Sequence, residues 1–378
     1  MDQPHRILVV DDTVVYRRIL TDIIAGLKDA EVVGSAPNGV IALKKIPTVN
    51  PDVVLLDVEM PEMDGLETLK IIKRDYPEIS VIMISGVSST SADLTIKALA
   101  NGALDFIKKP EGDKFDENVA LLSKQIAALL QMHRARRYTR AARAIRTGPV
   151  AEIPVERPPA PPPPRLVKPA AEMYPAPPGR FDLLAIGSST GGPEALTHII
   201  PKLPANLNVP VLLVQHMPPM FTASMAKNLD RLSALRVKEA EDGELIKPNV
   251  VYVAPGGFHM VIRPAEGGEK GYQIVINDLP PVKSCRPSVD VLFRSIAEVH
   301  GRGVLSVVLT GMGDDGADGV LALKRQGTYC LAQSEKTCVV YGMPRAVDEA
   351  NLSNERVDLD DIADRLLFKL GRTPLKES

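Results

Sequence analysis

The chain has 378 residues, 45% of them hydrophobic, and a formal net charge of −2. That length exceeds one ordinary domain and suits two domains with a connection, each able to bury a core. The near-neutral balance favours neither nucleic acid nor an anionic membrane as partner. No apolar run approaches the ~20 residues of a membrane span, and the start, MDQPHRILVVDD, lacks a signal-peptide layout.

Strands and helices alternate from the start. RILVV (6–10) reads as a strand and 14–28 as a helix; EVVGSA (31–36) is followed by a helix over 38–46. DVVLL (52–56) precedes a helix over 65–75, and SVIMIS (80–85) precedes one over 90–101. ALDFIKK (103–109) leads into a long helix over 114–134. Continuous Val/Ile/Leu strands mark a parallel sheet covered on both faces, and five βα units make a doubly wound α/β domain.

RARRYTRAARAIR, from Arg134 to Arg146, carries six arginines. A solvated helix end suits them, since its dipole favours cations; no DNA-binding motif accompanies them. Residues 149–178 then hold 12 of the 33 prolines, which cannot supply helix or sheet hydrogen bonds and so form an extended linker. The expected division is 1–130, a linker over 131–180, and a second domain over 181–372. In the latter FDLLAIG, VPVLLVQ, NVVYVAP, GVLSVVL and TYCLAQ read as strands, with HMVIRP and YQIVIN as a hairpin. Helices between them make a second, three-layer α/β domain with a mostly parallel sheet. Cys285, Cys330 and Cys338 form no C-x-x-C pair and read as reduced thiols of a cytoplasmic protein.

Function in open α/β sheets gathers at the carboxyl ends of strands. In the first domain those ends carry Asp11, Asp12, Asp57, Ser85 and Lys109. Three carboxylates together repel unless a hard divalent cation such as Mg²⁺ joins them. A carboxylate so placed can accept a phosphoryl group, while a serine and a lysine contact its oxygens.

In the second domain GSSTG (187–191) is a literal G-x-S-x-G, with Ser189 at a strand-to-helix turn. His216 ends the strand VPVLLVQ at the same sheet edge and is a candidate general base, with His259 as runner-up. His198 and His300 lie in or at the end of helices and read as structural. GMGDDG (311–316) follows a strand and matches the G-x-G-x-x-G dinucleotide pattern, with Glu335 roughly 20 residues on. Its aspartates argue otherwise: at ~4 Å a like-charge contact costs about 1 kcal/mol even in water. A carboxylate there can instead orient a histidine, and spacing does not choose between Asp314 and Asp315.

LVVDD, LLDVEMPEMDG, MISG and FIKKP resemble the receiver domain of bacterial response regulators. The resemblance implies a flavodoxin-like (βα)5 fold, Asp57 as phosphoacceptor, and Asp11, Asp12 and Asp57 around Mg²⁺. It further implies Ser85 and Lys109 as phosphoryl-sensing residues, a cis Lys109–Pro110 peptide and Phe106 at an aromatic switch position. With AIGSSTGGPEAL, VQHMPPMFT, VYVAPGGFHM, RPSVDVLF and LTGMGDDGADG added, the whole chain resembles the chemotaxis protein-glutamate methylesterases. That implies Ser189 as nucleophile, His216 as base and acid, and Asp315 as orienting acid, with the Met312 backbone beside the oxyanion and no cofactor for ester hydrolysis. It implies methylated chemoreceptor cytoplasmic domains as substrate, a chemotaxis histidine kinase as phosphodonor, and glutamine deamidation as a second activity. A receiver on a nucleotide-dependent oxidoreductase, on a non-catalytic partner-binding module or on a DNA-binding unit are the rivals.

Overall fold

The structure, a computed structural model, describes residues 4–86, 88–110, 115–146, 174, 175, 177, 179–267 and 271–372. Most of the proline-rich segment lies outside the described residues.

The first sheet runs β1 (His5–Val10), β2 (Ala30–Ala36), β3 (Val53–Asp57), β4 (Ser80–Ser85) and β5 (Asp105–Lys108), all parallel, in the spatial order β2-β1-β3-β4-β5. That is the flavodoxin-like order, which puts its switch point between β1 and β3. Every residue of β3 and β4 is buried, as the unbroken apolar runs require. Helices α1 (Val14–Ala25), α2 (Gly39–Val49), α3 (Gly65–Asp75) and α4 (Ser89–Ala100) alternate with the strands. Asn38, Asp64 and Ser88 cap α2, α3 and α4 through their side chains. The helix α2 runs three residues past the expected end at 46 and contains Pro47 in its last turn, where a missing N–H forfeits one bond.

The helix α5 (Phe115–Arg146) extends twelve residues beyond the expected stop at 134. Alanines and arginines are good helix formers, so the arginine run belongs to the helix. The side chains from Ala135 to Arg146 lie outside the described residues. Two local expectations for the first domain change. Lys109–Pro110 is trans, the form that X–Pro bonds favour by about 0.5–1 kcal/mol; the cis peptide among the described residues is Arg286–Pro287. The strand β5 is also four residues long rather than seven; the Ala103 amide returns to Ala98 O at 3.1 Å and closes the end of α4.

The second sheet has seven strands, every described pair parallel: β6 (Leu183–Ser188), β7 (Val211–Gln215), β8 (Arg236–Glu239), β9 (Val250–Val253), β12 (Val304–Val308), β13 (Tyr329–Gln333) and β14 (Glu355–Val357). Their order is β14-β13-β12-β6-β7-β9-β8. The hairpin, β10 (His259–Pro264) with β11 (Tyr272–Asn277), is a separate antiparallel sheet packed on α8 (Val289–Val299). The edge strands β8 and β14 escaped the sequence reading because they are short and charged. Helices α6 (Gly192–Ile199), α7 (Phe221–Leu232), α9 (Ala317–Arg325), α10 (Met343–Glu349) and α11 (Leu359–Lys369) complete the layers. The reversal of winding falls between β6 and β12, so the loops after β6, β7 and β12 share one edge.

The two domains pack together. The helix α4 lies against α6 and α7, and one apolar core includes Ile96 and Leu99 from the first domain with Met217, Phe221 and Met225 from the second. The Phe106 ring stacks on Phe221 with centroids 4.4 Å apart and planes at 25°. Among the described residues no helix is long and apolar enough to cross a membrane.

Candidate functional site

Asp57 ends β3, Asp11 and Asp12 follow β1, and Lys109 follows β5, so three strand ends deliver them to one sheet edge. Lys109 Nζ lies 2.7 Å from Asp57 Oδ2 and 2.8 Å from Asp11 Oδ2. Burial chiefly pushes the Asp57 carboxyl up to about 7; the Lys109 ammonium opposes this and the Asp11 charge adds to it. Asp11 Oδ1 accepts from Thr13 N at 2.8 Å, while the exposed Asp12 accepts from Thr13 Oγ1 at 3.1 Å. Oxygens of Asp11, Asp12 and Asp57 all lie within 4.8 Å of one another. An all-oxygen set with two buried carboxylates and one lysine suits a hard divalent cation, so the site is compatible with Mg²⁺. Gly65 sits so close that a Cβ there would stand 2.1 Å from Asp57 O, which explains the Asp64-Gly65 pair. Ser85 closes β4 with its Oγ donating to Gly86 O at 3.2 Å and accepting from Thr95 Oγ1 of α4 at 2.7 Å.

In the second domain Ser189 follows β6 and His216 follows β7. His216 N donates to Ser188 O at 3.1 Å, which sets the two loops side by side. Ser189 N donates to Thr310 O at 3.0 Å, tying the same loop to the end of β12. Gly311 packs on Ser189: a Cβ at 311 would meet Ser189 Cβ at 2.8 Å and Met343 Sδ at 2.3 Å. The first glycine of GMGDDG is thus required by close approach to the serine. Gly191, at φ +78, starts α6 in the left-handed region, and a Cβ there would strike Val339 at 2.5 Å. Gln215, not singled out in the sequence, joins the two loops. Its Oε1 accepts from Ser188 Oγ at 2.7 Å, and its Nε2 donates to Ser189 O at 2.9 Å.

His216 Nε2 donates to Asp315 Oδ2 at 2.8 Å. Asp315 also accepts from Ser288 Oγ at 2.8 Å, Val289 N at 2.7 Å and Asp290 N at 3.1 Å. These backbone donors open α8, so the carboxylate sits at the positive end of a helix. Burial alone would raise the Asp315 carboxyl, but the His216 contact and the Val289 and Asp290 amides outweigh it and bring it down to about 2. Burial likewise opposes the His216 imidazolium, yet Asp315 first and Cys285 second push the ring up to about 9. Asp314 instead points outward, its side chain 65% exposed, against Lys283 Nζ at 3.1 Å.

Besides Gln215, three further participants carried no clear signal in the sequence. Asp290 is buried and accepts from Gly316 N at 2.9 Å and Gly319 N at 2.7 Å, which caps α9. Ser288 both caps α8 and donates to Asp315, so the capping role alone understates it. Cys285 Sγ lies 3.5 Å from His216 Nδ1. Among the described residues no hydrogen bond joins Ser189 Oγ to His216, and such bonds often tighten only when substrate binds. His259 is buried in the hairpin with Nε2 directed at Pro280 O, 3.2 Å away. His198 contacts Lys202 and Asp360, and His300 contacts Asp182.

Fold and site together define a class: a hydrolase domain coupled to a receiver. The family model described as CheB methylesterase matches residues 184–366, and that described as response regulator receiver domain matches 7–119. A protein-glutamate methylesterase/protein-glutamine glutaminase of Desulfotalea psychrophila is 41% identical over 368 residues, covering 96% of this chain and 97% of the relative. One of the same name from Salmonella typhi is 41% identical over 366 residues, covering 97% of each. The crystal structure of the Thermotoga maritima CheB methylesterase catalytic domain shares 41% identity, covers 50% of this chain and 98% of its own, and has a TM-score of 0.48. The chain belongs to the protein-glutamate methylesterase/protein-glutamine glutaminase family.

Proposed function

We propose that the chain hydrolyses glutamate γ-methyl esters on the cytoplasmic helices of chemoreceptors, under control of phosphorylation at Asp57, and deamidates receptor glutamines by the same acyl chemistry. The observation that carries this reading is the meeting of the Ser189, His216 and Asp315 loops at one sheet edge, with His216 held by Asp315 at 2.8 Å. Since Asp315 occupies Nε2, Nδ1 is the nitrogen that serves Ser189. Ser189 Oγ attacks the ester carbonyl carbon as its proton passes to Nδ1. The C–OCH₃ bond then breaks and the same proton leaves with methanol. Water attacks the acyl-enzyme, gives a proton to Nδ1, and the serine is regenerated with that proton. With glutamine the leaving group is ammonia. Asp315 stabilises the transient imidazolium. Backbone N–H groups at the turn into α6 and near Met312 stabilise the oxyanion.

In the receiver, Asp11, Asp12 and Asp57 would hold Mg²⁺, which supplies positive charge opposite the phosphoryl oxygens. Lys109 and Ser85 contact the phosphoryl group, and a chemotaxis histidine kinase supplies it. Coupling runs through the domain contact. Phe106 stacks on Phe221, and Asp105, pushed up chiefly by burial, faces Thr190, the residue after Ser189. Phosphorylation shifts the balance from this covered arrangement toward an open one. The protein acts in the cytoplasm, where both kinase and receptor helices are found.

The test is methanol release from methylated receptor membranes by wild type and Ser189→Ala. Loss of release in the variant, with unchanged thermal stability, supports the reading; equal rates overturn it.

A further inference from the structure

We propose that Cys285 and His216 form a binding site for a thiophilic divalent cation of the Zn²⁺ class, and that filling it switches the hydrolase off. The second clause rests on the role given to His216 above; the binding itself does not.

The geometry is that of two ligands waiting for one ion. Cys285 Sγ and His216 Nδ1 stand 3.5 Å apart. Zinc bonds of about 2.3 Å to sulfur and about 2.0–2.1 Å to nitrogen, at a tetrahedral angle, place the two donors about 3.5–3.6 Å apart. One ion therefore bridges them without movement of either side chain. Asp315 completes the arrangement from behind. Its Oδ2 holds the opposite ring nitrogen at 2.8 Å, which fixes the ring with Nδ1 toward the thiol. A carboxylate on the far nitrogen of a metal-bound histidine is the usual support for such a ligand. Ligand atoms of His216, Cys285 and Asp315 all fall within 4.8 Å of one another. Asp315 is nevertheless a support and not a ligand, because Ser288, Val289 and Asp290 already occupy its oxygens.

The thiol is also held in place. Val282 and Cys285 exchange backbone hydrogen bonds at 2.8 and 3.1 Å, closing a tight turn. Within that turn Lys283 and Ser284 take φ of 50° and 64°, in the left-handed region. Lys283 Nζ anchors the turn on Asp290 at 2.9 Å and on Asp314 at 3.1 Å. Cys285 and His216 are each part-exposed, so water can supply the remaining coordination positions. The other two cysteines are poor competitors: burial pushes the Cys330 thiol up to about 12 and the Cys338 thiol higher still.

Binding forms one S–metal and one N–metal bond and releases the thiol proton to solvent, along with the Nδ1 proton where the ring carries one. No electron moves. The lone pair that would accept the Ser189 proton is then used by the metal. Sulfur and imidazole select Zn²⁺ or Cd²⁺ over Mg²⁺, so the carboxylate site of the receiver and this one discriminate between cations by ligand softness.

The experiment uses the full chain, stripped with a chelator and kept in Mg²⁺, then titrated with Zn²⁺ or Cd²⁺. Binding is read by calorimetry and by the ultraviolet thiolate-to-Cd²⁺ charge-transfer band, and turnover by methanol release. The expected result is one site per chain and at least tenfold inhibition, reversed by chelator. Cys285→Ala loses the band, and its rate, relative to its own metal-free rate, no longer falls at the same metal concentration. Ser189→Ala keeps the band although it is inactive, which separates failure of the esterase reading from failure of this one. Inhibition of Cys285→Ala at the wild-type metal concentration overturns the proposal, as does a band that persists in Cys285→Ala.

Discussion

Asp315 and Asp290 cap each other's helices. Asp315 accepts the Val289 and Asp290 amides that open α8, while Asp290 accepts the Gly316 and Gly319 amides that open α9. The acid that holds His216 is thereby fixed by two helix starts at once, and neither carboxylate can shift without freeing buried amides. Asp290→Ala should cost about 1–2 kcal/mol of stability through the lost caps. It should also lower kcat, because Asp315 loses its backing. Asp290→Asn, which keeps one acceptor oxygen, should recover part of both. Thermal melts and initial rates on the full chain measure the pair; an unchanged kcat in Asp290→Ala would remove Asp290 from the positioning of Asp315.

The two aspartates of GMGDDG separate by environment. Asp315→Asn should lower kcat by on the order of 10³–10⁴, the scale seen when the acid of a Ser-His-Asp triad is neutralised. Asp314→Asn should change stability by less than about 1 kcal/mol, as for an exposed ion pair, with turnover nearly intact. Initial rates on methylated receptor membranes distinguish them, and the reverse order would mean that Asp314 is the functional acid.

Stability should depend on pH through the same pair. His216 is raised from 6.5 to about 9, so its contribution is full below pH 6.5 and lost as pH rises through 9. Asp315 is lowered from 3.8 to about 2, so its contribution is full above pH 3.8 and lost as pH falls through 2. The Tm of wild type should therefore fall between pH 6.5 and 9, and His216→Gln should flatten that fall. Turnover should rise over the same range as the imidazole becomes neutral. Asp315→Asn should move that rise to lower pH while lowering its plateau; a limb that stays in place would detach it from His216.

Release of the domain contact should raise activity without phosphorylation. Stacked aromatic pairs contribute about 0.5–1.5 kcal/mol beyond the area they bury. Phe106→Ala should thus raise the basal rate by about 2- to 10-fold, since 1.4 kcal/mol is a factor of ten. The further gain from a phosphoryl donor should shrink to match. A basal rate unchanged by Phe106→Ala would exclude this ring pair from control.

Chelation of Mg²⁺ should abolish the response to a small-molecule phosphoryl donor while leaving the basal rate intact, since the acyl transfer proposed for Ser189 and His216 uses side chains alone. Asp57→Asn should behave in the same way with Mg²⁺ present. A donor response that survives in Asp57→Asn would place the phosphoacceptor elsewhere.

Much of this was legible in the residues. Unbroken apolar strands such as VVLL and VIMI require a sheet buried on both faces, and strand-end carboxylates follow from where such sheets place function. Ser189 and His216 stood out because a glycine turn and a strand-end histidine are local patterns. The short strands β8 and β14 did not, since an edge strand need not be apolar. The arginine run read as a solvated helix end, but its charge did not show how far that helix continues, since charge marks exposure and not where a helix stops.

The sequence by itself determined two α/β domains, a carboxylate cluster on the first and a serine and a histidine at one edge of the second. Only the tertiary structure decided which aspartate faces His216, that Asp290 and Ser288 support it, and that Cys285 lies on the other ring nitrogen. The reason is physical. Strands and turns answer to neighbours a few residues away, whereas these contacts join residues 25 to 99 positions apart in the chain. Such contacts come into being only when β6, β7 and β12 lie side by side and α8 and α9 pack across their ends.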